Sequence, residues 1–177
     1  MKAMKTLALG TFAALGLMGF VFGATTVNQT VTMQVSAICV VGVSGNPATL
    51  NVTAPATAGD SPSNPSDDTT YARYTSVIPS GQTRKLQVNW GGSDAAPAGC
   101  SLKLTAAPQS GKGTTAGQKT VSATAQDIVT GIGSCATGTG GTDGAQLTYV
   151  LSVDTLASLV VTTATNATIT LTLTDAS

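Results

Sequence analysis

Ile169-Thr170-Leu171-Thr172-Leu173-Thr174 is the stretch that decides the fold class. Apolar and polar residues alternate through it without a break, and a period of two marks a strand with one face buried and the other wet. A helix would turn Leu171 to the side opposite Ile169 and Leu173 and leave no apolar stripe. The same reading extends to Leu147–Val153, with Leu147, Tyr149, Leu151 and Val153 on one face. It holds also for Thr83–Trp90, where Leu86, Val88 and Trp90 alternate with Lys85, Gln87 and Asn89. Near the other end the odd positions run Val27, Gln29, Val31, Met33, Val35 against Asn28, Thr30, Thr32 and Gln34, which predicts a long half-buried strand.

Between these anchors the pattern is of short strands and turns. Ile38–Val43 is an apolar run around Cys39, and Gly45-Asn46-Pro47 turns the chain into a short strand at Leu50–Thr53. Residues 54–70 read as a loop of Pro, Ser, Asp, Asn and Thr, followed by a strand over Tyr74–Ile78 and a Pro79-Ser80-Gly81 turn. Residues 91–99 form a further turn, Leu102 and Leu104 face inward on the next strand, and a loop at 108–118 precedes a weaker strand near Thr120–Thr124. Gly131–Gly144 reads as a low-complexity loop, and Asp154–Leu159 has room for one helical turn. Seven to nine short strands with no other helix predict an all-β chain: an antiparallel β-sandwich of immunoglobulin-like type. An up-and-down barrel or jelly roll has the same periodicity, because alternation does not specify strand order. An outer-membrane barrel is disfavoured by outward faces of Thr, Lys, Gln and Asn without an aromatic girdle.

The 177 residues hold no His and no Glu, and all eight acids are Asp. Lys2 and Lys5 followed by an apolar run from Thr6 to Phe22 and small residues at Gly23 and Ala24 have the layout of a secretory signal peptide, residues 1–23. The expected mature chain, 24–177, is a single domain that keeps no Phe and only Tyr71, Tyr74, Trp90 and Tyr149 as aromatics. It has six cations against eight carboxylates, and 29 of its residues are Thr. Few large apolar residues with almost no charge describe a thin-cored β domain rather than a disordered chain. There is no basic stripe for nucleic acid, and after signal cleavage no segment is expected to hold a membrane; the expected location is extracellular or on the cell surface.

Imidazole and Glu chemistry are excluded by composition, and no GxSxG or SxxK pattern suggests a Ser nucleophile. Gly131–Gly138 resembles a phosphate loop only in glycine content, lacking the Lys. No CxxC and no His argue against a metal or other cofactor. Asp60, Asp67 and Asp68 share one loop but not a calcium-binding spacing, and read as turn formers. Of the three Cys, a Cys100–Cys135 disulfide would staple the glycine-rich loop to a strand, with pairings through Cys39 as alternatives. Tyr71, Tyr74 and Trp90 are either a platform for a glycan or core filling. Asn28, Asn51 and Asn166 stand in N-x-T sequons.

Gln29-Thr-Val-Thr-Met-Gln-Val-Ser-Ala-Ile-Cys-Val-Val-Gly-Val, followed by Leu50-Asn-Val and closed by the Thr-rich final strand, resembles the mature start and style of secreted bacterial pilin-like and spore-coat-U-like proteins. The resemblance implies an immunoglobulin-like subunit that polymerises by donating an extended strand to a neighbour's sheet. Residues 24–36 suit that role on their own physics, since an alternating segment added to a sheet edge gains main-chain hydrogen bonds while its alternate side chains fill pockets. Val27, Val31, Met33 and Val35 are the expected pocket fillers; the competing reading is an ordinary first strand of the same domain. The expected function is thus a non-enzymatic subunit of an extracellular fibre, coat or biofilm matrix whose partners are copies of itself or other surface proteins. The alternative is a monomeric module binding glycan or protein.

Overall fold

The computed structural model describes residues 26–164 and 166–176, so the expected signal peptide lies outside the described residues. The chain divides into two units, one ending at Gln34 and one beginning at Val35. In the first, residues 26–34 carry no strand and their side chains are exposed. The half-buried strand expected from the Val27–Val35 alternation is therefore not formed. Alternation sets which side chains share a face but supplies no partner for the backbone, and an isolated strand does not hold in water.

The second unit is an antiparallel β-sandwich of ten strands among the described residues: β1 (Ile38–Val43), β2 (Ser66–Val77), β3 (Arg84–Trp90), β4 (Cys100–Ala107), β5 (Thr114–Thr115), β6 (Lys119–Thr120), β7 (Gln126–Ile132), β8 (Cys135–Ala136), β9 (Ala145–Val153) and β10 (Ile169–Asp175). One sheet runs β1-β2-β9-β4-β6, with β8 also on β2, and the other runs β10-β3-β7-β5. An immunoglobulin sandwich places strands A, B, E and D in one sheet and C, F and G in the other. Here β1, β2, β9 and β4 take the A, B, E and D places, and β3 and β10 those of C and F.

Apart from β7, the core lies where the period-two pattern puts it. Ala72 and Tyr74 of β2, Leu104 and Ala106 of β4, and Leu147 and Tyr149 of β9 are buried against Leu86, Val88 and Trp90 of β3, Ile128, Val129 and Ile132 of β7, and Leu173 of β10. A single turn of 3-10 helix at Leu156–Ser158 occupies the segment expected to hold one.

Several local readings differ from the structure: the expected loops at 108–118 and Gly131–Gly144 hold the short strands β5 and β8, and the strand expected near Thr120–Thr124 is confined to Lys119–Thr120. Residues 66–70, expected as loop, open β2; its register against β9 shifts between Asp67 and Thr70. There Asp67 Oδ1 accepts hydrogen bonds from the Thr69 amide (3.1 Å) and Thr69 Oγ1 (2.9 Å), so a turn-forming acid serves a bulge inside a strand. Leu50–Thr53 forms no strand; Leu50 packs against the core from a segment closed by Thr53 and Ser63. The strand β7 stands where no strand was expected, because its alternation is broken. Ile128 and Val129 are both buried, and register shifts against β3 flank Leu86, with Gly131 at φ +65° absorbing one of them.

Candidate functional site

The chemistry-bearing residues singled out in the sequence are dispersed. Tyr74 and Trp90 are buried on facing sheets, and Tyr71 points from the other face of β2. The three therefore make no exposed platform, which corrects the glycan reading of these residues. Tyr74 fills the core and donates its hydroxyl to the Lys112 carbonyl at 2.8 Å. Burial, with the Cys135 thiol beside it, pushes its ionisation up to about 12.

All three thiols are free, which corrects the Cys100–Cys135 disulfide. Cys100 opens β4 opposite Val153, at the end of the sheet where β9 passes Ser66 of β2, and Cys135 sits opposite Ser76 of β2. Ser66 to Ser76 is about ten residues of strand, on the order of 30 Å, whereas a disulfide needs Cα atoms within about 7 Å. Cys39 and Cys135 lie on opposite sides of Ser76. Two strand spacings, about 10 Å, separate them and exclude that bridge as well. Burial raises the ionisation of both Cys100 and Cys135.

The feature that no single stretch of sequence announces is a seam between two sheet edges. Among the described residues β1 pairs only with β2, and β10 pairs only with β3. The register turns Cys39, Val41 and Val43 toward the core, since they lie opposite the inward Ser76, Tyr74 and Ala72. Yet Val43 is 51% exposed, Cys39 is exposed and Val41 only half-buried. On β10 the inward row is Ile169, Leu171 and Leu173, of which the first two are half-buried. The seam is therefore apolar and incompletely covered.

One end of this seam is tied shut. The Cys39 thiol donates to the Leu173 carbonyl at 3.4 Å. Arg84 is inward-facing on β3 and only 6% exposed. Its Nε meets Asp175 Oδ1 at 2.8 Å, and its Nη1 reaches the Ile38 carbonyl and, at 3.4 Å, Ser76 Oγ. One guanidinium thus links β3, β10, β1 and β2. Among the described residues the other end, at Val43 and Ile169, carries no such tie. This edge is where an immunoglobulin sandwich places strand G, beside F.

The segment before β1 is the second feature. Val27 is 86%, Val31 65%, Met33 86% and Val35 83% exposed, so four of the five members of the alternating odd row are apolar side chains in contact with water. Among the described residues no group of three or more metal-ligating side chains occurs, and no helix is long and apolar enough to cross a membrane. No protein-family model, curated protein or solved structure matches the chain.

Proposed function

We propose that this protein is an exported structural subunit that assembles with copies of itself by strand addition, residues 24–36 of one copy lying along the free edge of β10 in the next. The observation that carries the reading is the half-covered apolar seam between β1 and β10, at the position an immunoglobulin sandwich fills with its last strand. An unpaired β10 edge presents a row of backbone N–H and C=O groups, and an added strand satisfies them while its alternate side chains cover Ile169, Leu171 and Val43. The segment before β1 supplies such a strand: it alternates, it carries no Pro, and its apolar residues are otherwise left in water. The low charge and Thr-rich outer faces fit a role in which subunits pack against one another rather than one in which a reaction is catalysed.

Negative-stain microscopy of the purified chain beginning at Ala24, beside the same chain lacking residues 24–36, tests the proposal. Filaments or oligomers are expected from the first and folded monomers from the second. Monomers from both at high concentration would sink the fibre reading and leave a monomeric binding module as the function to pursue. Alkylation of Cys39 gives a second readout, since the thiol stands at the seam and becomes protected when the edge is occupied.

A further inference from the structure

Away from the seam, the outer face of the sheet that carries β2 holds a groove of about 200 Å3. The β1–β2 register sets Val40 opposite Thr75 and Gly42 opposite Arg73, and the chain after β8 supplies Thr137, Gly138 and Thr139 as the far wall. Val40 is 59% exposed, and Gly42 leaves the floor open, since a Cβ there would meet nothing within 4 Å. Arg73 is the one charged residue of the lining. Its guanidinium is held by carbonyls alone, that of Gly140 at 2.6 Å through Nη2 and that of Asp143 at 3.4 Å through Nε. The Asp143 carboxylate is engaged elsewhere, accepting the Gly140 amide at 2.6 Å and Gln109 Nε2 at 3.4 Å. Arg84, Lys85 and Lys103 each have an Asp partner. Among the described residues Arg73 has none within ion-pair distance, and its Nη1 hydrogens are unused.

An apolar floor, a wall of hydroxyls and one cation without a countercharge together select a compact anion that carries hydroxyls of its own. The hydroxyls of Thr75 and Thr139 make no hydrogen bond among the described residues and are open to such a ligand. A peptide is a poorer match. The backbone groups of β1 and β2 lie in the plane of the sheet and pair with each other, and the Tyr74 amide and carbonyl are taken by Thr137 at 3.0 Å each. An incoming main chain would lose its hydration over the groove without finding partners. We infer that the groove binds the uronate ring of an acidic polysaccharide, with the sugar carboxylate on Arg73 Nη1 and a C–H face of the ring on Val40 and Gly42. The site lies apart from the β10 edge and does not require strand addition. One exposed Arg–carboxylate contact is weak. A fibre repeats the groove on every subunit, and a polymer spanning several of them gains through effective concentration.

Trigalacturonate titrated into the isotope-labelled chain beginning at Ala24, followed by NMR, tests the site, with its methyl ester and a tri-aspartate peptide as comparators. Amide shifts are expected at Val40, Gly42, Arg73, Thr75 and Thr139, with saturation by about 10 mM ligand, the range of a single weak contact. The methyl ester keeps the sugar and removes the charge, and is expected to bind at least about tenfold more weakly, as is trigalacturonate to Arg73→Gln. Because Arg73 also ties down the loop at Gly140 and Asp143, Gly42→Val is the second variant. Its Cβ enters open space and Val suits a strand, so the fold is kept while the floor of the groove is filled. Its melting temperature is expected to equal or exceed the parent's, with trigalacturonate binding about tenfold weaker. Absence of saturation, shifts centred elsewhere on the sandwich, equal binding of the ester, or a folded Gly42→Val that binds unchanged overturns the inference. Tri-aspartate binding as tightly as trigalacturonate overturns it in favour of an acidic peptide. Each of these outcomes leaves strand addition standing, since deletion of residues 24–36 tests that separately.

Discussion

Arg84 is the residue on which the edge of the sandwich depends. It is an ionised group in a nearly closed setting, held by the Ile38 carbonyl, Ser76 Oγ and Asp175. Asp175 itself is 74% exposed, so that half of the ion pair is solvated. Removing the guanidinium orphans two groups and leaves Asp175 content in water. Arg84→Ala is therefore expected to cost about 1–3 kcal/mol, and Asp175→Asn no more than about 1 kcal/mol. Arg84→Lys should fall between them, because a point ammonium cannot copy the planar fork. Urea unfolding midpoints of the three variants check the order; Asp175→Asn more damaging than Arg84→Ala would contradict it.

Tyr74 sets a second expectation at this scale. Its phenol ionises at about 12 in the fold against 10.0 ordinarily, so the unfolded chain gives up its proton first as pH rises. Stability supplied by keeping the phenol neutral is complete below pH 10 and is lost progressively from pH 10 to about 12. Tyr149 is displaced upward as well, chiefly by burial, and adds slope in the same direction. Tyr74→Phe should flatten the alkaline decline measured by urea melts between pH 9 and 12, while costing about 1 kcal/mol at pH 7 for the lost bond to the Lys112 carbonyl.

Among the elements, the turn into β9 is the least forgiving. Gly144 has φ +121°, and a Cβ there would run into the Ala72 carbonyl of β2, where Ala72 pairs with Ala145. Neither backbone can yield without breaking the ladder. Gly131, at φ +65° within β7, faces open space. Gly144→Ala is expected to destabilise by more than about 2 kcal/mol and Gly131→Ala by about 1 kcal/mol, since only conformational strain opposes the second. Equal effects in thermal melts would show that the close approach is relieved elsewhere.

The elements also differ in how readable they were. β3, β9 and β10 were plain in the sequence because each turns one unbroken face to the core. β7 was not, because two adjacent residues, Ile128 and Val129, are both buried at a bulge imposed by β3, and a bulge is a property of the pair of strands. The first five residues of β2 were hidden by their composition: Ser66-Asp-Asp-Thr-Thr reads as a turn until β9 is there to pair with it. The 26–36 segment errs the other way, having a strand's pattern without a strand's neighbour.

For the molecule as a whole, the free thiols make a simple statement. Cys39, Cys100 and Cys135 are placed by three different strands at separations no disulfide spans, so the sandwich is held by non-covalent contacts. Melting of the monomeric form is expected at the same temperature with and without reductant, and denatured protein should take up three alkyl groups before any reduction. A midpoint that falls on reduction, or fewer than three modified sites, would place a bridge in the native protein.

Composition and periodicity determined, without any structure, that this chain is all-β, built with Thr-rich outer faces over a thin core, and devoid of imidazole and Glu chemistry. They did so because a side chain's preference for water or core acts at every residue, and a period of two leaves few ways to satisfy it. They also marked the segment 24–36 as strand-like and unusual. Which strands adjoin, which cysteines meet and where an edge is left uncovered were decided only by the tertiary structure. These depend on pairings between residues as far apart in the chain as Cys39 and Leu173, and local preference does not choose among such pairings. The seam between β1 and β10, with Arg84 at its closed end, came into view only when both sheets were assembled.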